Sequence, residues 1–121
     1  MGEVGRCPQC GCEGPNPGYH PLSSEEVQRE LESLPAWRLA PYGDNRLCIA
    51  REVRLRDRSS VLRLVNAISE VAESPEVAHH PDLLLRGTAL ETRLTTHAAG
   101  GLTAYDFRLA HALAGVLDSI S

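Results

Sequence analysis

Residues 46–73, RLCIAREVRLRDRSSVLRLVNAISEVAE, carry two different apolar periods in succession. Leu47, Ile49, Val53 and Leu55 alternate with polar positions, broken only by Arg51, which predicts a half-buried strand over 46–55. Past Asp57 the period changes. Val61, Leu62, Leu64, Val65, Ile68, Val71 and Ala72 recur at helical spacing, with Asp57 or Ser59 placed to cap the first turn. The helix should run to about Glu73, where Ser74-Pro75 interrupts it.

Working outward, the same signals recur on both sides. Ser23-Ser24-Glu25-Glu26 has the form of a capping box, and Val27, Leu31 and Leu34 follow at helical spacing until Pro35, which predicts a helix over about 24–34. Trp37-Arg38-Leu39 reads as a short strand, and Pro41-Tyr42-Gly43-Asp44-Asn45 as the turn joining it to 46–55 in a hairpin. Downstream, Asp82–Arg86 and Ala89–Thr95 form a second strand pair around Gly87. Thr103-Ala104-Tyr105-Asp106 starts a last helix with Phe107, Ala110, Leu113, Ala114 and Leu117 on its inner face. The order α-β-β-α-β-β-α predicts an α+β fold: a four-stranded antiparallel sheet with three helices on one face. This domain spans 23–121. Residues 1–22, rich in Cys, Gly and Pro with no apolar period, read as an irregular N-terminal arm.

At 121 residues the chain has the size of a single domain. Twelve basic against sixteen acidic residues give a formal charge of -4, which argues against a general nucleic-acid binder. All the basic residues are Arg. No apolar run approaches the ~20 residues of a membrane span and no leader is expected, so the expected location is cytoplasmic, without a membrane partner. Aromatic residues are limited to Trp37, Phe107, Tyr19, Tyr42 and Tyr105, so the core must be aliphatic. The four cysteines do not form an evenly spread disulfide framework. Cys48, in the alternating strand, is expected as a small buried hydrophobe.

Chemistry concentrates in one half. Ala78-His79-His80-Pro81-Asp82 joins a helix to a strand, and Thr95-Thr96-His97, followed by Gly100-Gly101 and Asp106, joins a strand to a helix. Two such junctions can meet at one edge of a sheet, which would gather His79, His80 and His97 around one pocket. Imidazole is suited to proton transfer near neutral pH. Pro81 restricts His80 to an extended backbone. Neighbouring His79 and His80 should then point apart, which makes a metal shared between them awkward. Asp106 can support the helix start or orient a histidine. His111, on the last helix, is expected to be structural or exposed. In the arm, Cys7 and Cys10 are spaced as a metal-binding pair, and Cys12 and His20 could complete a tetrahedral zinc site; the alternative is an unmetallated, redox-sensitive arm.

With these residues in view, the segment 71–110 resembles the pterin-4a-carbinolamine dehydratase family, through His79-His80-Pro81, Thr96-His97, Gly100-Gly101-Leu102-Thr103 and Asp106. Leu34-Pro35-Ala36-Trp37 resembles the family's opening to its first strand, and the similarity covers about 23–121. The resemblance implies the fold just derived, a homodimer or homotetramer, and loss of water from a 4a-hydroxytetrahydropterin to give a quinonoid dihydropterin without a catalytic cofactor. It implies His79 and His97 in acid/base roles, His80 in binding and polarisation, and Asp106, Thr96 and Pro81 in support. Two positions depart from the family's pattern. Pro75 stands where a carboxylate is common, with Glu73 or Glu76 as substitutes, and Gly87 stands where an aromatic is common. The resemblance also implies an alternative, a dehydratase-like protein-binding factor, such as a carboxysome-associated assembly factor for a RuBisCO client.

Overall fold

The computed structural model describes residues 4–6, 13–15, 21–43, 46–74, 79–96 and 99–120. Two short strands, β1 (Val4–Arg6) and β2 (Glu13–Pro15), are followed by α1 (Ser24–Glu32), β3 (Arg38–Pro41), β4 (Leu47–Arg54), α2 (Arg58–Glu73), β5 (Asp82–Arg86), β6 (Ala89–Leu94) and α3 (Ala104–Ile120). From α1 onward this is the expected α-β-β-α-β-β-α order. The antiparallel sheet runs β3-β4-β6-β5. The arm differs from the expected irregular chain, because β1 and β2 pair antiparallel with Arg6 opposite Glu13.

Local signals explain the element starts. Ser23 Oγ accepts the Glu26 N–H at 3.1 Å, and Glu26 Oε1 accepts the Ser23 N–H at 2.8 Å. These reciprocal bonds satisfy donors that the first helical turn leaves open. The Ser23 N–H first, and then the Ser23 hydroxyl, hold the Glu26 carboxyl below its ordinary range, since a hydrogen bond donated to the carboxylate favours the anion. Asp57 caps α2 by accepting the Ser60 N–H at 2.8 Å. Ser74, which precedes Pro75, leaves α2 with an extended backbone, ψ 147°.

The core lies between the helices and one face of the sheet. Val27 from α1, Val61, Leu64 and Ile68 from α2, and Phe107, Leu109, Leu113 and Leu117 from α3 meet Ile49, Val53, Leu90 and Leu94. The register places Ile49 opposite Leu94 and Val53 opposite Leu90, so alternate residues of both central strands face the helices. Arg51 breaks the apolar alternation yet stays on this face. It is buried, and Nη2 donates to Asp118 Oδ1 at 2.7 Å, so α3 supplies the charge that the strand needs.

Three expected core positions lie elsewhere. Leu62 and Leu47 are 53% and 47% exposed, and Ala114 is half-buried. Leu62 sits at the edge of the apolar arc of α2, where Val61 and Leu64 take the contacts. Gly87, the expected turn of the second strand pair, is the first residue of the turn between β5 and β6, with φ +59°. It fits that conformation without a Cβ penalty. The departure at this position therefore falls on the exposed hairpin tip.

Among the described residues no helix lies over the other face of the sheet. Cys48 and Ala50 are small and fully buried there, beneath longer polar side chains. Glu91 Oε2 accepts Arg93 Nε at 2.8 Å and lies 3.5 Å from Arg38 Nη2. The Arg93 bond, more than the Arg38 charge, holds the Glu91 carboxyl below its ordinary range. Tyr42 donates its phenol to Asp82, and that bond pushes the phenol up to about 12. Burial raises the Cys48 thiol, as expected for an inert core sulfur.

Candidate active site

The N-terminus of α3 organises the site. Thr103 precedes the helix, and Asp106 occupies its first turn. Asp106 Oδ2 accepts the Thr103 N–H at 2.9 Å, while the Asp106 N–H donates to the Thr103 carbonyl at 3.1 Å. The helix dipole favours a carboxylate at this place. Asp106 is fully buried, so its remaining lone pairs need donors from the fold.

Two segments supply them. Thr96, just after β6, donates its hydroxyl to Asp106 Oδ2 at 2.7 Å. Its backbone is clamped by reciprocal bonds with Gly101, at 3.0 and 3.4 Å, across a turn that Gly100 makes at φ +73°. Thr96 Oγ1 also lies 2.7 Å from Thr103 Oγ1. A hydroxyl has one proton, and that of Thr96 goes to Asp106, so Thr103 donates to Thr96. Thr103 in turn accepts the Tyr105 N–H at 3.2 Å. The hydroxyl chain thus runs in one direction and ends on the carboxylate.

From the other side comes His79. Its Nε2 lies 2.8 Å from Asp106 Oδ1, and the side chain is 2% exposed. A carboxylate only accepts, so Nε2–H is the donor. In the neutral ring this places the lone pair on Nδ1, which is buried and has no hydrogen-bond partner among the described residues. The Tyr105 ring stands 6.1 Å from the imidazole centroid to centroid, and Arg108 lies over the Tyr105 ring at 5.0 Å.

His80 points the other way. It is half-exposed, and its Nε2 lies 2.9 Å from Glu73 Oε2 at the end of α2. The expectation that the neighbouring histidines diverge therefore holds. Of the sequence-derived candidates, His79, Thr96 and Asp106 come together in one buried network, and His80 and Pro81 border it on the exposed side. His97, Cys7, Cys10, Cys12 and His20 lie outside the described residues. Among the described residues no group of three His, Cys, Asp or Glu is arranged to hold a metal. His111 is exposed, 3.4 Å from Ser33 Oγ. The hydroxyl role of Thr103 escaped the sequence reading, although Thr103 and Asp106 stand at the first and fourth places of a capping pattern, where reciprocal bonds are expected.

This geometry sits inside the region matched by a known family. Residues 20–116 match the profile of the pterin 4 alpha carbinolamine dehydratases. The chain belongs to this family. A relative from Aquifex aeolicus is 38% identical over 92 residues, covering 76% of this chain and 86% of the relative. One from Acidobacterium capsulatum is 38% identical over 97 residues, covering 79% and 97%. Both are named, provisionally, as pterin-4-alpha-carbinolamine dehydratases. A crystal structure described as a transcriptional coactivator/pterin dehydratase from Brucella melitensis superimposes with a TM-score of 0.70 at 23% identity, over 81% of this chain and 99% of that one. That likeness confirms the family's fold in this chain. Among the described residues no helix is long and apolar enough to cross a membrane.

Proposed function

We propose that the chain dehydrates a 4a-hydroxytetrahydropterin to the quinonoid dihydropterin by histidine acid/base chemistry. The observation that carries this reading is the buried pair His79–Asp106, whose second ring nitrogen, Nδ1, is buried and has no hydrogen-bond partner among the described residues. Loss of water requires one proton delivered to the departing 4a-hydroxyl and one removed from a ring nitrogen. Asp106 holds His79 in the tautomer that leaves Nδ1 able to take a proton, and stabilises the imidazolium that forms, as the carboxylate behind a catalytic histidine does. His97 serves as the second acid/base group, and His80 binds and polarises the pterin. The elimination is a proton redistribution with no change in oxidation state, so the reading calls for no catalytic cofactor.

The test is a dehydration assay on freshly generated 4a-hydroxytetrahydropterin with His79→Ala and His97→Ala. Turnover that vanishes in both supports the assignment. A folded wild-type protein without turnover would sink it and turn the search to a protein client. We further propose a homo-oligomeric, cytoplasmic protein; the support is that β3 and β5 end the sheet on strands paired on one side only. Zinc at Cys7, Cys10, Cys12 and His20 rests on their spacing. Its measure is total zinc per chain in reductant-treated protein, with a value near zero against it.

A further inference from the structure

We propose that the corner between the end of α1, strand β4 and the last turns of α3 is a binding site for a small carboxylate, seated on Arg51 and Trp37 in exchange with Asp118. The corner encloses a pocket of about 130 Å³, with Ser33, Trp37, Arg51, Ala114 and Asp118 in its lining. None of these residues belongs to the His79–Asp106 network, so the site stands whether or not the chain is a dehydratase. Its volume is well below the ~300 Å³ at which drug-sized ligand pockets begin, which excludes a pterin and fits a molecule of a few heavy atoms.

What the pocket offers is hydrogen-bond donors. The Arg51 side chain is 9% exposed and carries five N–H groups, of which Nη2 donates to Asp118 Oδ1 at 2.7 Å. Trp37 stands one residue before Arg38, which pairs with Ala50, so Trp37 and Arg51 are cross-strand neighbours. The Trp37 Nε1–H is buried and has no hydrogen-bond partner among the described residues. Thr92, opposite Arg51 on β6, has a buried hydroxyl in the same condition. An indole N–H only donates, and buried donors in folded proteins are nearly always satisfied. A surplus of fixed donors therefore calls for a ligand rich in acceptors.

Charge narrows the class. A buried guanidinium needs an anion beside it, and Asp118 supplies one. Yet Asp118 is 67% exposed, so it rehydrates at little cost when another carboxylate takes its place. An anion added next to Asp118 would meet a like charge, whereas exchange keeps the pocket neutral. A free carboxylate has two oxygens and about four lone-pair sites, enough for the guanidinium fork and the indole N–H together. Asp118 leaves that N–H unsatisfied, and this is the differential contact that favours the exchange.

Trp37 is the chain's only tryptophan, so its fluorescence reports on this corner in the full chain and without turnover. Wild type, Asp118→Ala and Arg51→Leu are titrated with sodium acetate at pH 7, against sodium chloride at matched ionic strength. Acetate is expected to shift the emission saturably, and chloride to leave it unchanged. Asp118→Ala lacks the internal competitor and should saturate at about three- to fivefold lower acetate, a size set by an ion pair with one solvated partner. Acetate should also raise the Tm of Asp118→Ala more than that of wild type, because it restores a partner to the buried Arg51. Arg51→Leu should lose the response; if it does not fold, the comparison of wild type with Asp118→Ala decides. No saturable shift in folded wild type or Asp118→Ala would show that water alone fills the pocket and would overturn the site. Equal responses to acetate and chloride overturn the carboxylate class, and a midpoint no lower in Asp118→Ala overturns the exchange.

Discussion

His79 and His80 are neighbours in the chain, each with Nε2 less than 3 Å from a carboxylate, yet the two pairs belong to different physical regimes. The His79–Asp106 pair is 2% and 0% exposed and joins residues 27 apart in sequence. It is embedded among Thr96, Thr103 and the start of α3. The His80–Glu73 pair is 36% and 71% exposed. Buried, a carboxylate must be fully satisfied, and removing one partner strands the rest. In water, either partner can be rehydrated at little cost. The same two residue types therefore build a buried, costly-to-break pair on one side and a solvated, readily exchanged pair on the other. Backbone alternation in the extended segment before β5 is what divides them.

The strongest way to break this contrast is at the buried pair. His79→Ala and Asp106→Asn are each expected to lower kcat by about 10²–10⁴, since the amide can donate to His79 Nε2 and reverse the tautomer. A quenched-flow dehydration assay measures this, and wild-type-like turnover in either variant would erase the distinction. Stability should separate the regimes next. Asp106→Ala leaves His79, Thr96 and the Thr103 N–H without their acceptor and should cost about 3 kcal/mol in urea unfolding. Thr96→Val, which removes one donor and strands Thr103, should cost about 1–3 kcal/mol. Glu73→Ala should stay within about 0.5 kcal/mol, and a larger loss would show that its exposed pair is structural after all.

The smallest effect is expected on the open sheet face, which offers a third setting for a carboxylate. The Arg93 hydrogen bond depresses the folded-state Glu91 carboxyl below its ordinary value. Its contribution is therefore fully present above the unfolded pKa, about 4.3, and is lost as pH falls through the lower folded value. Tm measured between about pH 6 and pH 3 should fall less steeply in Glu91→Gln than in wild type. Equal slopes would mean that the Arg38–Glu91–Arg93 cluster adds nothing to acid sensitivity.

Element order was legible wherever the signal is local. Ser23 with Glu26, a cap at Asp57 or Ser59, and the change of period past Asp57 act within a few residues, and the structure follows them, with Asp57 taking the cap on the Ser60 N–H. Local reading failed where neighbours in space decide. Leu62 continues the apolar stripe of α2 but looks into solvent, and Arg51 breaks a strand's alternation yet is buried on Asp118. Gly87, by contrast, reads locally as the turn between two strands, and the register of Arg86 opposite Ala89 puts it there. The site divided in the same way. That Asp106 could orient a histidine was legible in the sequence, whereas which histidine it meets and the direction of the Thr103–Thr96–Asp106 chain required the atoms.

By itself, then, the sequence determined the succession of helices and strands from α1 onward, most of the face each buries, and the divergence of two adjacent histidines, because caps, periods and backbone alternation are short-range properties. Only the tertiary structure decided which carboxylate each histidine meets. Asp106 reaches His79 because the turn at Gly100 and the clamp between Thr96 and Gly101 bring the start of α3 back against the segment entering β5. Glu73 reaches His80 because α2 ends where that segment begins its exposed side. Both depend on long-range packing, and burial then sets how much each contact is worth.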